Sequence, residues 1–391
     1  MPEHEVAARI VDLAPILSER ADDIEQLGRI PDEIGKQLKA TGVVRLLQPR
    51  RWGGYEEDPR LFFSSVMDVA AQCGASGWVT GIIGVHPWEL AMYDPRAQEE
   101  VWADDPDTWI CSTYMPTGKA IAVDGGYRFS GRWSYSSGCD IAEWIFLGGL
   151  LAAADGTPAQ PVQYVHFLLP RADYTIVDDT WNVVGLCGTG SKDIVVDDVF
   201  VPTYRTATDQ SLHDGTAPGA TADRSTLYRM PWSAIFPNGI TAAAIGIAEG
   251  ALAAALGYQR DRVSMAAGRI VEAPYTMTVV GQAASEIHAS RLSLLGNLGE
   301  MWDHLTAGDA VAMELRARSR AAQVRNSWRV TRAVDLLFDH TGGGSLRMGT
   351  PLQRFWRDSH AALHHIINTP DASFQSYAGV AMGFEPRETI V

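Results

Sequence analysis

The hydrophobic period of this chain changes twice, and those two changes limit the folds open to it more than any other feature. Up to about residue 106 apolar side chains recur at helical spacing, from about Thr108 they alternate, and beyond Pro231 the helical period returns and persists almost to the end. In the first block Pro31 stands at a first helical position, Ile34 and Leu38 follow at helical spacing, and Gly42 supplies a stop. Further helices are expected over Pro59–Gln72, Ser76–Tyr93 and Arg96–Ala103.

In the middle block AIAVDGGYRFSG puts a Gly125-Gly126 turn between two alternating runs, the mark of a hairpin. EWIFLGGLL, VQYVHFLLP, YTIVDD and DIVVDDVFVP follow as strands, and Asp209–Arg224, rich in Thr, Asp, Gly and Ala, reads as a linker. Helical segments near 236–260, 275–306, 310–342 and 351–368 then give four long helices with short connections, a bundle. The expected class is α+β: an N-terminal helical domain at 1–106, a central β domain at 107–222 and a C-terminal four-helix bundle at 223–391.

Composition narrows the function classes. A chain of 391 residues with 46% apolar residues can bury sizeable cores. Its formal charge of −15 contains no basic block able to neutralise phosphates, so neither nucleic acid nor an anionic membrane surface is an expected partner. The opening MPEHEVAARIVDLAPIL lacks a positive segment followed by an apolar one, and the alanine-rich run Thr241–Leu256 is interrupted by Glu249 and too short for a bilayer. Cys73, Cys111, Cys139 and Cys187 are isolated and read as reduced thiols, which signals neither a zinc ribbon nor a disulfide framework. A cytoplasmic location is expected.

Four segments are candidates for chemistry. In WSYSSGCDIAEW the flat face of Tyr135 beside the hydroxyl of Ser137 suits a conjugated ring with a hydrogen-bonding edge, although an exposed strand has the same pattern. ICSTYMPTG is a strand running into a Pro-Thr-Gly turn, with Ser112 and Thr113 available to line a pocket. VVGLCGTGSKDIVVDD carries Gly185, Gly188 and Gly190 in a loop whose backbone amides suit a phosphate or ring edge, but it is no dinucleotide fingerprint. PLQRFWRDSHAALHHI reads as one helix carrying His360, His364 and His365. The HxxxH spacing there lacks the glutamate of HExxH and a third ligand, so no metal site is expected.

The order and spacing of these segments resemble the acyl-CoA dehydrogenase fold over essentially the whole chain. That resemblance implies a central β-barrel, with a flavin between barrel and bundle beside Tyr135 and Ser137. An acyl-CoA dehydrogenase needs a carboxylate base, and Ile366 stands where that glutamate aligns. A dehydrogenase with its base on another helix is the alternative.

LLQPRRWGGYEEDP, GWVTGIIGVHPWELAMYDPRAQEEVW, WSYSSGCD, VVGLCGTGS and PLQRFWRDSHA are more similar to the oxygenase components of two-component flavin-dependent aromatic monooxygenases. Within them they resemble in particular the actinobacterial branch that hydroxylates the phenolic ring of secosteroids in steroid catabolism. The resemblance implies ortho-hydroxylation of a phenol to a catechol through a C4a-hydroperoxyflavin. It also implies reduced FMN or FAD delivered by a separate NAD(P)H-dependent reductase, molecular oxygen as substrate, and a homotetramer.

By the same resemblance His86, Ser112, Ser137 and His365 surround flavin and phenol. His86 or His365 would accept or hold the phenolic proton, and Ser137 would hydrogen-bond near flavin N5. Tyr135, Gly188, Thr189, Gly190 and Ser191 join Ser112 and Ser137 as flavin-binding candidates, and Trp78 and Trp88 are either substrate walls or core packing. From its surroundings alone, between Gly84-Val85 and Pro87-Trp88, His86 reads first as a satisfied core or loop histidine. The glycines of HTGGGSLRMG fit either a helix cap or the flavin tail of a neighbouring subunit.

Overall fold

The first helical block is α1 (Glu5–Leu27), α2 (Asp32–Thr41), α3 (Pro59–Gln72), α4 (Gly74–Leu90) and α5 (Pro95–Trp102). The strands are β1 (Ile110–Val123), β2 (Gly126–Ser136), β3 (Trp144–Ala152), β4 (Tyr164–Pro170), β5 (Thr175–Val177), β6 (Lys192–Pro202) and β7 (Thr206–Thr208). After them come α6 (Asp209–His213), α7 (Pro218–Ala222), α8 (Trp232–Arg260), α9 (Pro274–Ala307), α10 (Met313–Asp339), α11 (Pro351–Leu363) and α12 (Pro370–Ala381). This computed structural model describes residues 4–153, 155–222, 225–260, 262–264, 268–388 and 390–391.

The seven strands form one sheet in the order β5-β6-β2-β1-β3-β4-β7. It curls until β4 and β6 come into contact, enclosing Cys111, Phe129, Trp133, Leu147, Phe167 and Ile194 as a core of its own. β5 and β7 lie at opposite ends of the strand order, so this is an open barrel. The helical blocks at the two ends of the chain instead share one core, in which Phe62, Val66 and Ile83 meet Ile240, Ile247 and Val334.

Every residue of α4 except Ile82 is buried, so this helix has no solvent face and runs through the middle of the molecule. It approaches α8 closely because glycines meet at the crossing. A Cβ on Gly81 would stand 2.5 Å from the Gly239 carbonyl oxygen, and one on Gly239 2.6 Å from that of Gly81. Gly81→Ala is therefore expected to destabilise the fold by about 1–3 kcal/mol in urea unfolding. A loss below about 0.5 kcal/mol would show that the crossing relaxes freely.

Several local expectations are corrected. The hairpin turn is Asp124-Gly125, because Val123 still pairs with Gly126 and Gly125 takes φ 76°. β1 does not turn at Pro116 but passes through it with a register shift between Thr113 and Gly118. The expected linker contains α6, capped by the Thr208 hydroxyl on Ser211 N at 3.2 Å, and α7, while its residues 223 and 224 lie outside the described residues. α8 is long and apolar enough to cross a bilayer, but its most apolar window is 72% buried within the protein.

The helix expected over 351–368 stops at Leu363. Asn368 Nδ2 donates to the Ala362 carbonyl at 3.0 Å, taking the place of a helical amide, and His365 leaves the helix in extended conformation at φ −64° and ψ 135°. The three histidines therefore do not share a helix. His360 bonds Asp335 at 2.7 Å, His364 is exposed, and His365 caps the short turn Ile366–Asn368.

Candidate active site

His86 is fully buried on α4 and joins that helix to β1. Its Nδ1 lies against the Ile110 carbonyl and its Nε2 is 2.9 Å from Ser112 Oγ. A carbonyl only accepts, so Nδ1 carries the proton and Nε2 accepts the Ser112 hydroxyl hydrogen. Burial lowers the His86 pKa to about 4, against the raising pull of Glu89 and the Ile110 carbonyl. The ring is neutral at pH 7, and Ser112 keeps its oxygen lone pairs for another donor.

Two turns earlier on α4 the Trp78 indole N–H donates to Ser137 Oγ at 3.1 Å. Ser137 Oγ is 2.7 Å from Ser191 Oγ, Ser191 Oγ is 2.7 Å from Thr189 Oγ1, and Thr189 donates to the Leu186 carbonyl at 2.8 Å. Because the chain ends on a carbonyl, every proton in it has one direction: Trp78 to Ser137 to Ser191 to Thr189 to Leu186. Ser137 thus presents a free acceptor lone pair and no free proton. Thr189 and Ser191 are buried behind it, 1% and 4% exposed.

Tyr135 is 66% exposed beside this chain, in left-handed backbone at φ 70°. Such a conformation costs a tyrosine on the order of 1–3 kcal/mol and is retained where the surroundings impose it. The loop holding Thr189 and Ser191 is clamped from outside. A Cβ on Gly188 would stand 2.4 Å from Ile24 of α1, and one on Gly185 2.3 Å from the Arg357 carbonyl of α11. These glycines have a packing reason.

Arg357 donates to the Val184 carbonyl at 2.8 Å, and buried Asp358 accepts from Leu186 N at 2.6 Å. The RD pair of the C-terminal motif therefore locks the loop that orients Ser137. Burial raises the Asp358 pKa to about 6, opposed by the Leu186 amide. A folded-state pKa above the unfolded one means that stability falls as pH rises between about 4 and about 6. The stability of Asp358→Asn relative to the parent is expected to rise across that window, by up to about 3 kcal/mol, and then level off. A pH-independent difference in urea midpoints would contradict this.

His365 is half-buried, with its ring 5.9 Å from that of Trp78. Its Nδ1 accepts from Ile367 N at 3.2 Å, which puts the proton of the neutral ring on Nε2. Burial lowers its pKa to about 4, so it offers an N–H donor rather than a cation. The structure thus brings His86 to Ser112, Trp78 to Ser137 and His365 to Trp78.

Trp88 lies elsewhere. Its indole donates to the Leu227 carbonyl at 2.9 Å, and it lines a cavity of about 490 Å³ with Met92, Leu212, His213 and Tyr228, which none of His86, Ser112, Ser137 and His365 reaches. Three residues absent from the expected set belong near His86. Phe236 of α8 lies 5.9 Å from the His86 ring and stacks on Trp232 at 4.5 Å, while Tyr114 and Glu89 form a hydrogen-bonded pair one turn along α4. Glu89 alone had a sequence signal, as the one acidic residue in an otherwise uncharged helix.

The donor set fits a reduced flavin. Ser137 offers an acceptor to an N–H-bearing ring edge, and Tyr135 holds an exposed aromatic face next to it. The fit to a dehydrogenase base is poor. Ile366 is 81% exposed, and Glu249 of α8 is held through both oxygens by Arg291 at 3.0 and 2.9 Å.

Comparison with known proteins agrees. The family described as acyl-CoA dehydrogenase, C-terminal domain, matches residues 238–370. The chain is 46% identical over 384 residues, 98% of each protein, to a pigment production hydroxylase of Rhodococcus erythropolis. It is 45% identical to the flavin-dependent monooxygenase oxygenase subunit HsaA of Rhodococcus jostii, covering 98% of this chain and 100% of that protein. The crystal structure of 3-HSA hydroxylase from Rhodococcus sp. RHA1 superposes with a TM-score of 0.95 over 100% of both chains at 45% identity. The chain belongs to the flavin-dependent monooxygenases built on the acyl-CoA dehydrogenase fold, as an oxygenase component.

Proposed function

We propose that this oxygenase component hydroxylates a phenol ortho to its hydroxyl group, giving a catechol, and that a secosteroid phenol is the preferred substrate. The observation that carries the reading is the division of hydrogen-bonding roles across the site. Ser112 and Ser137 have their protons committed to His86 and Ser191 and are left as acceptors, while His365 is left as a donor. An acceptor for a phenolic O–H, a donor for the oxygen once it carries charge, and an acceptor for a flavin N–H are the three needs of this chemistry. The names of the chain's relatives, hydroxylase and oxygenase subunit, support it.

Reduced FMN or FAD, when bound, supplies the activation of dioxygen. Tyr135, Ser137 and Ser112 would hold its ring, with the loop Gly188, Thr189, Gly190 and Ser191 shaping the wall behind Ser137. The Ser112 oxygen would take the phenolic proton as the Ser112 hydroxyl proton passes to His86 Nε2, leaving the electron pair on the substrate oxygen. His365 Nε2–H stabilises the resulting phenolate, and Trp78 and Phe236 exclude water from the ring between them. A separate NAD(P)H-dependent reductase would deliver the reduced flavin.

A cytoplasmic homotetramer is part of the proposal. Four free cysteines support a reducing compartment, and exposed Tyr275, Met277, Leu292, Leu346, Met348 and Phe384 of the C-terminal block support self-association. Turnover of phenols of increasing size with a generic flavin reductase tests the substrate assignment. Higher kcat/KM for a phenol bearing a large alicyclic substituent is expected, and a preference for the smallest phenols would reject the secosteroid.

A further inference from the structure

Two side chains of α4 reach the same strand. His86 meets the Ile110 carbonyl and the Ser112 hydroxyl of β1, and Glu89, one helical turn on, accepts the Tyr114 hydroxyl at 2.6 Å. Residues three apart on a helix are neighbours, and residues two apart on a strand, as Ser112 and Tyr114 are, stand about 7 Å from each other. Helix and strand therefore both place the Glu89 carboxylate beside the His86 imidazole, and neither residue has any exposed surface. The rings of Tyr114, Phe146 and Phe236, at 6.2, 5.7 and 5.9 Å, close the imidazole in with aromatic carbon. Charges at such a spacing attract several times more strongly there than in water.

A buried carboxylate needs donors, and Glu89 has one on each oxygen. Tyr114 serves Oε2, and His166 Nδ1 of β4 stands 2.8 Å from Oε1. His166 is buried, and its Nε2, which has no hydrogen-bond partner, lies 3.7 Å from Asp209 Oδ1. A histidine between two carboxylates leaves the three groups with a net negative charge whichever form its ring takes. His213 stands behind Asp209 at 3.4 Å. The titratable and polar groups that face His86 are Glu89 of its own helix, Ser112 and Tyr114 of β1 and His166 of β4. Those that face Glu89 are Tyr93 of its own helix, Tyr114 of β1, and Tyr164 and His166 of β4.

We propose that Glu89 is the counter-charge for the imidazolium that forms at His86 when the bound phenol ionises, and that Tyr114 and His166 hold its carboxylate in place for that task. The inference rests on the phenol reading of the site. The phenolic O–H bond breaks and its proton goes to Ser112 Oγ as the Ser112 proton passes to His86 Nε2, and the electron pair stays on the substrate oxygen. The Nδ1 proton remains on the Ile110 carbonyl, so the ring becomes a cation and total charge is unchanged. The reverse transfer returns the proton to the product. Burial opposes this cation and holds the resting ring neutral. Glu89 offsets that cost from the neighbouring turn of the helix, while the phenolate lies beyond Ser112. Glu89 touches neither substrate nor flavin and acts through His86, as a positioning residue.

The test uses 4-nitrophenol, which turns yellow on ionising, bound to the flavin-free protein at a pH below the probe's own pKa. Visible absorbance reports ionisation, and calorimetry in two buffers of different ionisation enthalpy reports protons released. The parent protein is expected to ionise the bound probe with no net proton release, because His86 keeps the proton. The nearly isosteric Glu89→Gln is expected to lower the bound-phenolate absorbance at least about tenfold, one pKa unit or more, while the Kd changes less than about threefold. Tyr114→Phe removes a donor but keeps the carboxylate, and should hold the absorbance within about threefold of the parent. Absorbance in Glu89→Gln equal to the parent, or release of one proton per bound probe by the parent, would overturn the proposal alone. So would a tenfold loss in Tyr114→Phe, which is read whether or not Glu89→Gln folds. A parent protein that leaves the probe neutral or unbound would overturn the phenol reading and the proposal with it.

Discussion

Replacing His365 with alanine is expected to lower product formed per turnover about 10²-fold while leaving the flavin Kd within about threefold of the parent. The imidazole is held neutral, with Nδ1 occupied by Ile367 N, and what it supplies is an Nε2–H donor. Removing one preorganised donor from a dry site costs about 2.7–4 kcal/mol of transition-state stabilisation. The variant also loses the cap on the turn Ile366–Asn368. His365→Asn separates the two effects, because its shorter side chain can still cap the turn but does not reach as far as Nε2. Both variants should lose turnover, and only the alanine variant should lose about 1 kcal/mol of stability. Full activity in His365→Asn would remove His365 from the chemistry.

Replacing Ser137 with alanine is the second large effect. Ser137 heads the hydroxyl chain that runs to Leu186 and keeps a free lone pair beside exposed Tyr135, so its loss should uncouple flavin oxidation from substrate oxygenation. The fraction of reduced flavin yielding hydroxylated product is expected to fall at least about tenfold, with hydrogen peroxide making up the difference. The Trp78 N–H and the Ser191 hydroxyl would lose a buried partner, which adds about 1–3 kcal/mol of destabilisation. Ser191→Ala serves as a comparison: it leaves the Ser137 oxygen in place but frees its proton, and should give intermediate coupling. Product yields in Ser137→Ala equal to the parent would show that this hydroxyl does not meet the flavin.

The order of the blocks was legible because each depends on a period repeated many times. α3 was expected over Pro59–Gln72 and is found there. What the periodicity missed is local and has tertiary causes. α11 ends early because the Asn368 side chain reaches back to the Ala362 carbonyl. α6 forms in a stretch with linker composition because Thr208 caps it.

The site was legible in parts for a similar reason. Resemblance named His86, Ser112, Ser137 and His365, but the directions of their protons follow from the carbonyls of Ile110 and Leu186 and the amide of Ile367, which no motif marks. Thr189 and Ser191, named as flavin-binding candidates, are tied to Ser137 by a hydroxyl chain that orients it, a link no motif marks. Trp88, on the same helix as Trp78, faces another cavity. Glu89 meets His166 across 77 positions of sequence, a distance over which composition carries no signal.

The protein uses reduced flavin to place an oxygen atom on a phenol. Single-turnover mixing of the protein, chemically reduced FMN and a phenol with heavy-oxygen-labelled dioxygen tests it most directly, read by mass spectrometry of the product. A catechol carrying one labelled oxygen atom is expected, formed with Ser137 and His365 intact and reduced at least about tenfold when either is replaced by alanine. Quantitative hydrogen peroxide with no labelled catechol for any phenol, together with bleaching of oxidised flavin by an acyl thioester in the absence of oxygen, would contradict it.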